Sequence, residues 1–301
     1  MRLIPKWIRI CITILLVFAV AFSATMCLPS SAITWSDIFG AVGVKNTLPD
    51  GSYIYYLDVG QGDCEVIVSN GKTVLIDCGD KSKGDDIADF LHRIGCETVD
   101  YVFISHPHED HCGGIYALAD YINIKNVVVS SWTPSGEDDS GCLTAMRRDL
   151  FARGITFWSP VKGDICTFGA FKLTVIYCDD WAEEENDRSA IYRAECGNNK
   201  FLFMGDASDL VENELIYENV DLSCDILKAG HHGSASSTSD EFLEAVKPKT
   251  VVFSCGLGNS YGHPSKDAVG RVESHSIKYY RTDVNGTIKV NAETLAITSE
   301  H

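Results

Sequence analysis

Apolar and polar positions alternate along this chain with two distinct periods. Residues 52–60 (SYIYYLDVG) and 64–79 (CEVIVSNGKTVLIDCG) run apolar or alternate, and Asn70–Gly71 between two arms of the second stretch predicts a hairpin. Residues 85–95 (DDIADFLHRIG) change to helical spacing and stop at Gly95. A buried strand is predicted over 98–106 (TVDYVFISH), a helix over 113–123 (GGIYALADYIN) and a strand over 124–131 (IKNVVVSS). After a polar loop, 143–154 reads as a helix, and 171–178, 189–197 and 199–206 read as strands. Helices at 208–219, 240–247 and 265–274 then alternate with strands at 224–232, 249–256, 277–283 and 286–293. This order predicts two β-sheets covered by outer helices, in one domain over residues 51–301 with a connector at 33–50.

The first 32 residues follow a different rule. Residues 1–9 are basic, residues 10–28 are uncharged and mostly apolar, and Ser30 and Ala32 suit the −3 and −1 positions of a signal-peptidase site. Residues 1–32 therefore read as an export signal, which places the domain outside the cell or at its surface. The apolar stretch is also long enough to serve as an uncleaved membrane anchor with the domain outside.

Composition removes some functions and leaves others. The net charge is −17. That counts against a broad electrostatic grip on nucleic acid, which needs clustered Lys and Arg. Phosphate substrates stay open, because bound divalent cations supply positive charge locally. The twelve cysteines form no CxxC pair, so neither a zinc ribbon nor a thioredoxin-like motif is expected. Several of them sit in apolar runs, where a free Cys behaves as a small hydrophobe.

The densest chemistry lies in residues 104–114 (ISHPHEDHCGG), at the end of a predicted strand. His106 and His108 can turn toward one metal ion, and Asp110 with His111 can reach a second. Imidazole with carboxylate suits Zn²⁺, or Mn²⁺ where oxygen ligands are more numerous. Two-metal sites hold their ions about 3.5–4 Å apart and activate water. Asp77, Asp206, the His231–His232 pair and His263 each follow another predicted strand, where such groups are best fixed. The segment GQGD at 60–63 lacks the GK[ST] ending of a nucleotide loop and predicts a tight turn near the site, with Asp63 as a contact. The serine-rich run after His232 fits either phosphate-oxygen donors or a helix cap. The acidic runs at 137–139 and 183–185 read as solvated loops.

HPHEDH matches the H-x-H-x-D-H signature of metallo-β-lactamase-fold hydrolases. The segments LDVGQGD, VLIDCGD, SHPHEDHCGG, MGDA, LKAGHHGSASS and YGHP more narrowly resemble the hydrolase domain of ComEC-type competence proteins and its stand-alone relatives, from Tyr53 to about Val272. The resemblance implies an α/β fold, the αββα four-layer sandwich. It also implies two divalent metal ions, Zn or Mn, and hydrolysis by a hydroxide that they activate. It assigns His106 and His108 to the first ion, Asp110, His111 and His231 to the second, and Asp206 to both. Asp77 would stand behind the ligands and orient them. His232 and His263 would line the substrate side, with His263 as proton donor or phosphate contact and Asp110 as the other catalytic candidate. One departure stands out: residues 184–193 (EENDRSAIYR) lack the histidine that many members carry there. Asn186, Asp187 or water would have to replace it, which shifts the preference toward Mn²⁺ and counts against a true β-lactamase.

The sequence thus predicts an exported metal-dependent hydrolase acting on phosphodiesters. Short or flexible substrates, including single-stranded nucleic acid, suit its acidic surface best, and a membrane partner enters only if the leader stays uncleaved. The alternative substrates are lactones, β-lactams or other ester and amide bonds. A non-catalytic binding module on the same fold is the third reading.

Overall fold

The structure, a computed structural model, describes residues 47–129 and 142–301. The expected leader, the connector up to residue 46 and the acidic run at 137–139 lie outside the described residues. Fifteen strands among these residues pair into two sheets. The first places side by side β15 (Ile297–Ser299), β14 (Ile288–Asn291), β1 (Ser52–Tyr56), β2 (Glu65–Ser69), β3 (Lys72–Ile76), β4 (Thr98–Phe103), β5 (Asn123–Val128) and β6 (Thr156–Trp158). The second runs β13 (Lys278–Arg281), β12 (Thr250–Phe253), β11 (Ile226–Lys228), β10 (Asn199–Phe203), β9 (Ile191–Cys196), β8 (Phe171–Tyr177) and β7 (Ile165–Phe168).

Period-two alternation explains why both faces of each sheet are buried. Ile54 and Tyr56 of β1 point into the space between the sheets, where Phe103, Tyr192, Phe201 and Phe203 meet them. Tyr55, one residue along, points the other way and packs with Ile87 and Leu91 of α1 (Gly84–Arg93). The short α2 (Glu109–Cys112), α3 (Ile115–Tyr121) and α4 (Cys142–Ala152) complete that outer layer with Cys112, Leu118 and Leu150. On the far side, α5 (Asp209–Tyr217), α6 (Asp240–Val246) and α7 (Lys266–Ser274) cover the second sheet with Leu215, Phe242 and Val272. The result is the expected αββα four-layer sandwich. Each fully buried apolar side chain of this size contributes about 1.5–3 kcal/mol.

Local signals placed the ends of these elements. Asn70 and Gly71 both take positive φ between β2 and β3, as a two-residue hairpin turn requires. Ser208, Ser239 and Ser265 cap α5, α6 and α7 by accepting from backbone N–H groups. The serine-rich run after His232 is therefore partly structural: Ser239 is a cap, and buried Ser237 donates to the Gly230 carbonyl at 2.7 Å. The three- and four-residue strands β6, β7 and β15 and the single turn α8 (Thr282–Asn285) were not predicted.

In the first sheet β3 through β6 are parallel, and in the second β10 through β13 are parallel. Asp77, His106, Asp206 and His231–His232 all follow the carboxyl ends of such strands. Open α/β sheets gather ligand groups at that edge.

Candidate metal centre

The H-x-H-x-D-H segment leaves β4 at Phe103 and enters α2 at Glu109, so a strand end and a helical turn share four candidate groups. Asp77 fixes this turn from beneath. One of its oxygens accepts from the Ser105 backbone N–H at 2.7 Å, and the other accepts from the Ser105 hydroxyl at 2.7 Å and from His111 Nδ1 at 2.8 Å. The loop from β1 then packs onto the turn so closely that a Cβ on Gly62 would lie 2.4 Å from the Asp110 carbonyl oxygen. A Cβ on Gly114, in the glycine pair that follows the motif, would lie 2.1 Å from the Cys78 carbonyl oxygen. Only glycine allows both approaches.

From the other sheet, Asp206 follows β10, and the turn Gly230–Gly233 follows β11. His231 and His232 both take left-handed backbone angles, with φ of 45° and 54°. Strain of this kind is retained where the surrounding structure enforces it, commonly at functional sites. The turn aims His232 inward. Its Nδ1 hydrogen bonds to the Ser254 carbonyl at 3.0 Å and lies 3.1 Å from Asp63 Oδ1. Its Nε2 faces Asp110 Oδ2 at 3.4 Å and Asp206 Oδ1 at 3.5 Å. His111 Nε2 reaches the same Asp206 oxygen at 3.2 Å. Asp63, His111, Asp206 and His232 are all buried and offer ligand atoms within 4.8 Å of one another.

Charge in this cluster is tightly compensated. Burial alone would raise the Asp206 pKa, but His232 and His111 hold it well below the usual carboxylate range. The converse holds for the rings. Burial opposes the charge on His232, yet Asp206 and Asp63 raise its pKa to about 10. Asp206, Asp110 and Asp77 likewise raise His111 well above the imidazole range against the cost of burial. Carboxylates that hold protons on two buried imidazoles this firmly form a site that demands positive charge. A divalent cation is the alternative source, and its binding displaces those protons. The donor atoms fit one. His106 Nε2, His111 Nε2, His232 Nε2 and Asp206 Oδ1 are buried and lack a hydrogen-bond partner among the described residues. Leaving such groups unsatisfied costs about 1–3 kcal/mol each.

A second group lies beside the first. His106 Nδ1 lies 3.1 Å from the Ser105 hydroxyl and 3.3 Å from that of Ser189, and its Nε2 is 4.0 Å from Asp206 Oδ2. His108 Nε2 lies 3.3 Å from Glu185 Oε2. Glu185 belongs to the acidic run that reads from sequence as a solvated loop; the structure brings its carboxylate to the site instead. Asp187 turns away, accepting from the Ser208 backbone N–H and hydroxyl at 2.8 and 3.0 Å, so it supports α5 and does not fill the missing histidine's place. Asn186 Nδ2 is 3.4 Å from His231 Nε2, which is itself 3.7 Å from Asp206 Oδ2.

Both adjacent histidines face Asp206, His232 Nε2 at 3.5 Å and His231 Nε2 at 3.7 Å. His232 points into the four-residue cluster, while partly exposed His231 lies at its margin toward Asn186 and His263. The rings of His231 and His263 are 5.3 Å apart. Partial burial, His231 and His232 hold the His263 pKa down at about 4, and its buried Nδ1 has no hydrogen-bond partner among the described residues.

Sequence reasoning missed Lys228 altogether. It is fully buried, with Nζ 2.7 Å from Asp63 Oδ2 and donating to the Ala229 carbonyl at 2.8 Å. Neighbouring Glu65 is also buried, and burial followed by the Asp63 charge pushes its pKa well up. Lys228 thus anchors Asp63, and Asp63 stands against His232. The only signal in the sequence is a lysine inside an otherwise apolar strand, which is weak without the fold.

A four-layer sandwich with histidines and carboxylates from both sheets meeting at one edge defines a class of metal-dependent enzyme, and the comparisons agree. The chain belongs to the metallo-β-lactamase superfamily, whose model matches residues 57–256. Members are generally metal-dependent hydrolases. It is 29% identical to ComE operon protein 3 of Bacillus subtilis over 77% of this chain and 32% of that protein. It is 30% identical to Recombination protein 2 of Haemophilus influenzae over 78% of this chain and 28% of that protein. The chain therefore spans about three tenths of the length of these curated relatives. Among solved structures, Tm1679, described as a metal-dependent hydrolase of the β-lactamase superfamily, aligns with a TM-score of 0.55. That alignment covers 80% of this chain and 99% of Tm1679 at 18% identity, and it supports the fold alone.

Proposed function

We propose that this chain is a two-cation hydrolase of phosphodiesters. The observation that carries the reading is the convergence on Asp206 of buried ring nitrogens from both sheets that have no hydrogen-bond partner among the described residues. Asp110, His111 and His232 would hold one cation, with His232 in the place that the family resemblance assigns to His231. His106, His108 and Glu185 would hold the other, and Asp206 would serve both. The cations would supply a water nucleophile at neutral pH and positive charge beside the ester oxygens.

The protein's own groups set the geometry for this chemistry. Asp77 keeps the His111 proton on Nδ1 and leaves Nε2 facing inward. The Ser254 carbonyl and Asp63 do the same for His232. Glu185 makes the first position richer in oxygen than a three-histidine site, which favours Mn²⁺ over Zn²⁺. His263 lies beyond the ligands, where a neutral imidazole N–H can contact a substrate oxygen and ease departure of the leaving group.

The likeness to competence proteins supports phosphodiesters as the substrate class. The basic and then apolar residues 1–32 support an exported or membrane-held position. The test is hydrolysis by purified protein, with Mn²⁺ or Zn²⁺, of bis(p-nitrophenyl) phosphate, single-stranded DNA, a lactone and nitrocefin. Cleavage of the first two alone supports the reading, and cleavage of the lactone or nitrocefin alone replaces it.

A further inference from the structure

The loop between β12 and α7 carries an aromatic ring into water beside the candidate centre. Tyr261 is 71% exposed. Its ring stacks on that of His263, with centroids 5.7 Å apart and planes at 25°. Tyr261 also lines a cleft of about 390 Å³ together with Gly60, Gln61, Asp80, Lys83 and Asp110. The ring therefore sits between a histidine of the site and the cleft that opens onto the candidate ligand Asp110.

The loop is braced in this position. The Asn259 side-chain oxygen accepts from the backbone N–H groups of Tyr261 and His263 at 3.1 and 3.0 Å. Its Nδ2 donates to the carbonyls of Gly256 and His263 at 2.9 and 2.5 Å. Gln61, from the opposite wall, accepts from the Gly256 N–H at 3.3 Å. An exposed ring held by its own loop loses little freedom when a flat ligand covers it, which is what a binding platform needs.

Charge does not supply a grip here. Lys83 is the one cation among the residues lining the cleft, and its Nζ lies 3.2 Å from Asp86, while Asp80, Glu109 and Asp110 line the same walls. A polyanion approaching these walls must gain affinity from its uncharged parts, and aromatic side chains stack nucleobases without regard to sequence. Only an unpaired base offers a free face. We propose that Tyr261 is the stacking platform for a nucleobase flanking the phosphodiester. On the phosphodiester reading above, on which this rests, the substrate becomes a single-stranded oligonucleotide.

The test is an equilibrium titration that needs no turnover. Full-length protein with Mn²⁺ is added to a dinucleotide containing 2-aminopurine and a phosphorothioate linkage, and quenching of the base is followed. Wild type should quench saturably, Tyr261→Ala should raise Kd roughly 5- to 150-fold, and Tyr261→Phe should stay within about twofold. Equal Kd for wild type and Tyr261→Ala, or no quenching by wild type, overturns the platform. Hydrolysis of bis(p-nitrophenyl) phosphate is measured in parallel. Its absence with quenching intact sinks the phosphodiester reading and leaves the base site standing. Its presence without quenching does the reverse.

Discussion

Replacing Lys228 with methionine probes the support beneath the candidate centre. The substitution keeps most of the side-chain volume and removes the cation 2.7 Å from Asp63 Oδ2. Asp63 is then a carboxylate only 1% exposed, with Glu65, buried and hard to ionise, as its neighbour. Breaking a buried pair from one side costs up to about 3–5 kcal/mol; here the protonated His232 ring, 3.1 Å from Asp63 Oδ1, is the counter-charge that remains. At about 2–4 °C per kcal/mol for a domain of this size, the melting temperature of the EDTA-treated protein should fall by up to about 6–20 °C. His232 also loses part of what orients it, so Zn²⁺ affinity in a competition assay with a chelating dye should drop about 10- to 100-fold. Adding Asp63→Asn to Lys228→Met removes the carboxylate charge as well. The double variant should regain part of the melting temperature but not the affinity. A single variant that melts within about 2 °C of the parent, or a double variant no more stable than the single, would refute the ion-pair reasoning.

Asp206→Asn should lower bound metal, measured by elemental analysis, from two equivalents to one or none and abolish hydrolysis, since this side chain faces both groups. Glu185→Gln should weaken one equivalent of Mn²⁺ selectively, which a biphasic metal titration resolves; loss of both equivalents would assign Glu185 another role. His263→Ala should retain both metals and slow phosphodiester cleavage by roughly 10²–10⁴-fold, less so with p-nitrophenyl leaving groups that need no assistance. Burial raises the Glu212 pKa from 4.5 to about 7, against the N–H groups of Ser239 and Thr238 that favour the charged form. Its ionisation is therefore disfavoured by folding, and stability should decline as pH rises from about 4.5 to 7. Glu212→Gln should flatten that part of the denaturation profile, and an unchanged slope would exclude this residue as its origin.

Much of the architecture was legible because burial imposes regular patterns. Ile54, Tyr55 and Tyr56 announce a strand buried on both faces, and Ile87, Leu91 and the Gly95 stop announce a helix. The short edge strands β6, β7 and β15 escaped because they are largely exposed or half-buried and so present no apolar run. The H-x-H-x-D-H groups were legible because one short segment carries most of them. Glu185, Lys228 and Ser254 reach the site only through packing, so even neighbours such as Asn186 and His231 do not disclose their roles. The choice between His231 and His232 depended on two consecutive left-handed residues, and a histidine pair does not disclose its backbone angles. In the acidic run at 183–185 Glu183 and Glu184 are exposed as its composition suggests, while Glu185 partners His108.

Asp110 and His111 hang from one sheet, Asp206 and His232 from the other. Ions shared among them would act as a clasp across the interior seam, and their concentration would enter the unfolding equilibrium. At a free ion level one hundred times Kd, each site adds about 2.7 kcal/mol to the folded state. The same linkage runs backward: any strain that pries the layers apart must also loosen the ions. Metal supply would then govern how long the molecule survives as well as how fast it turns over.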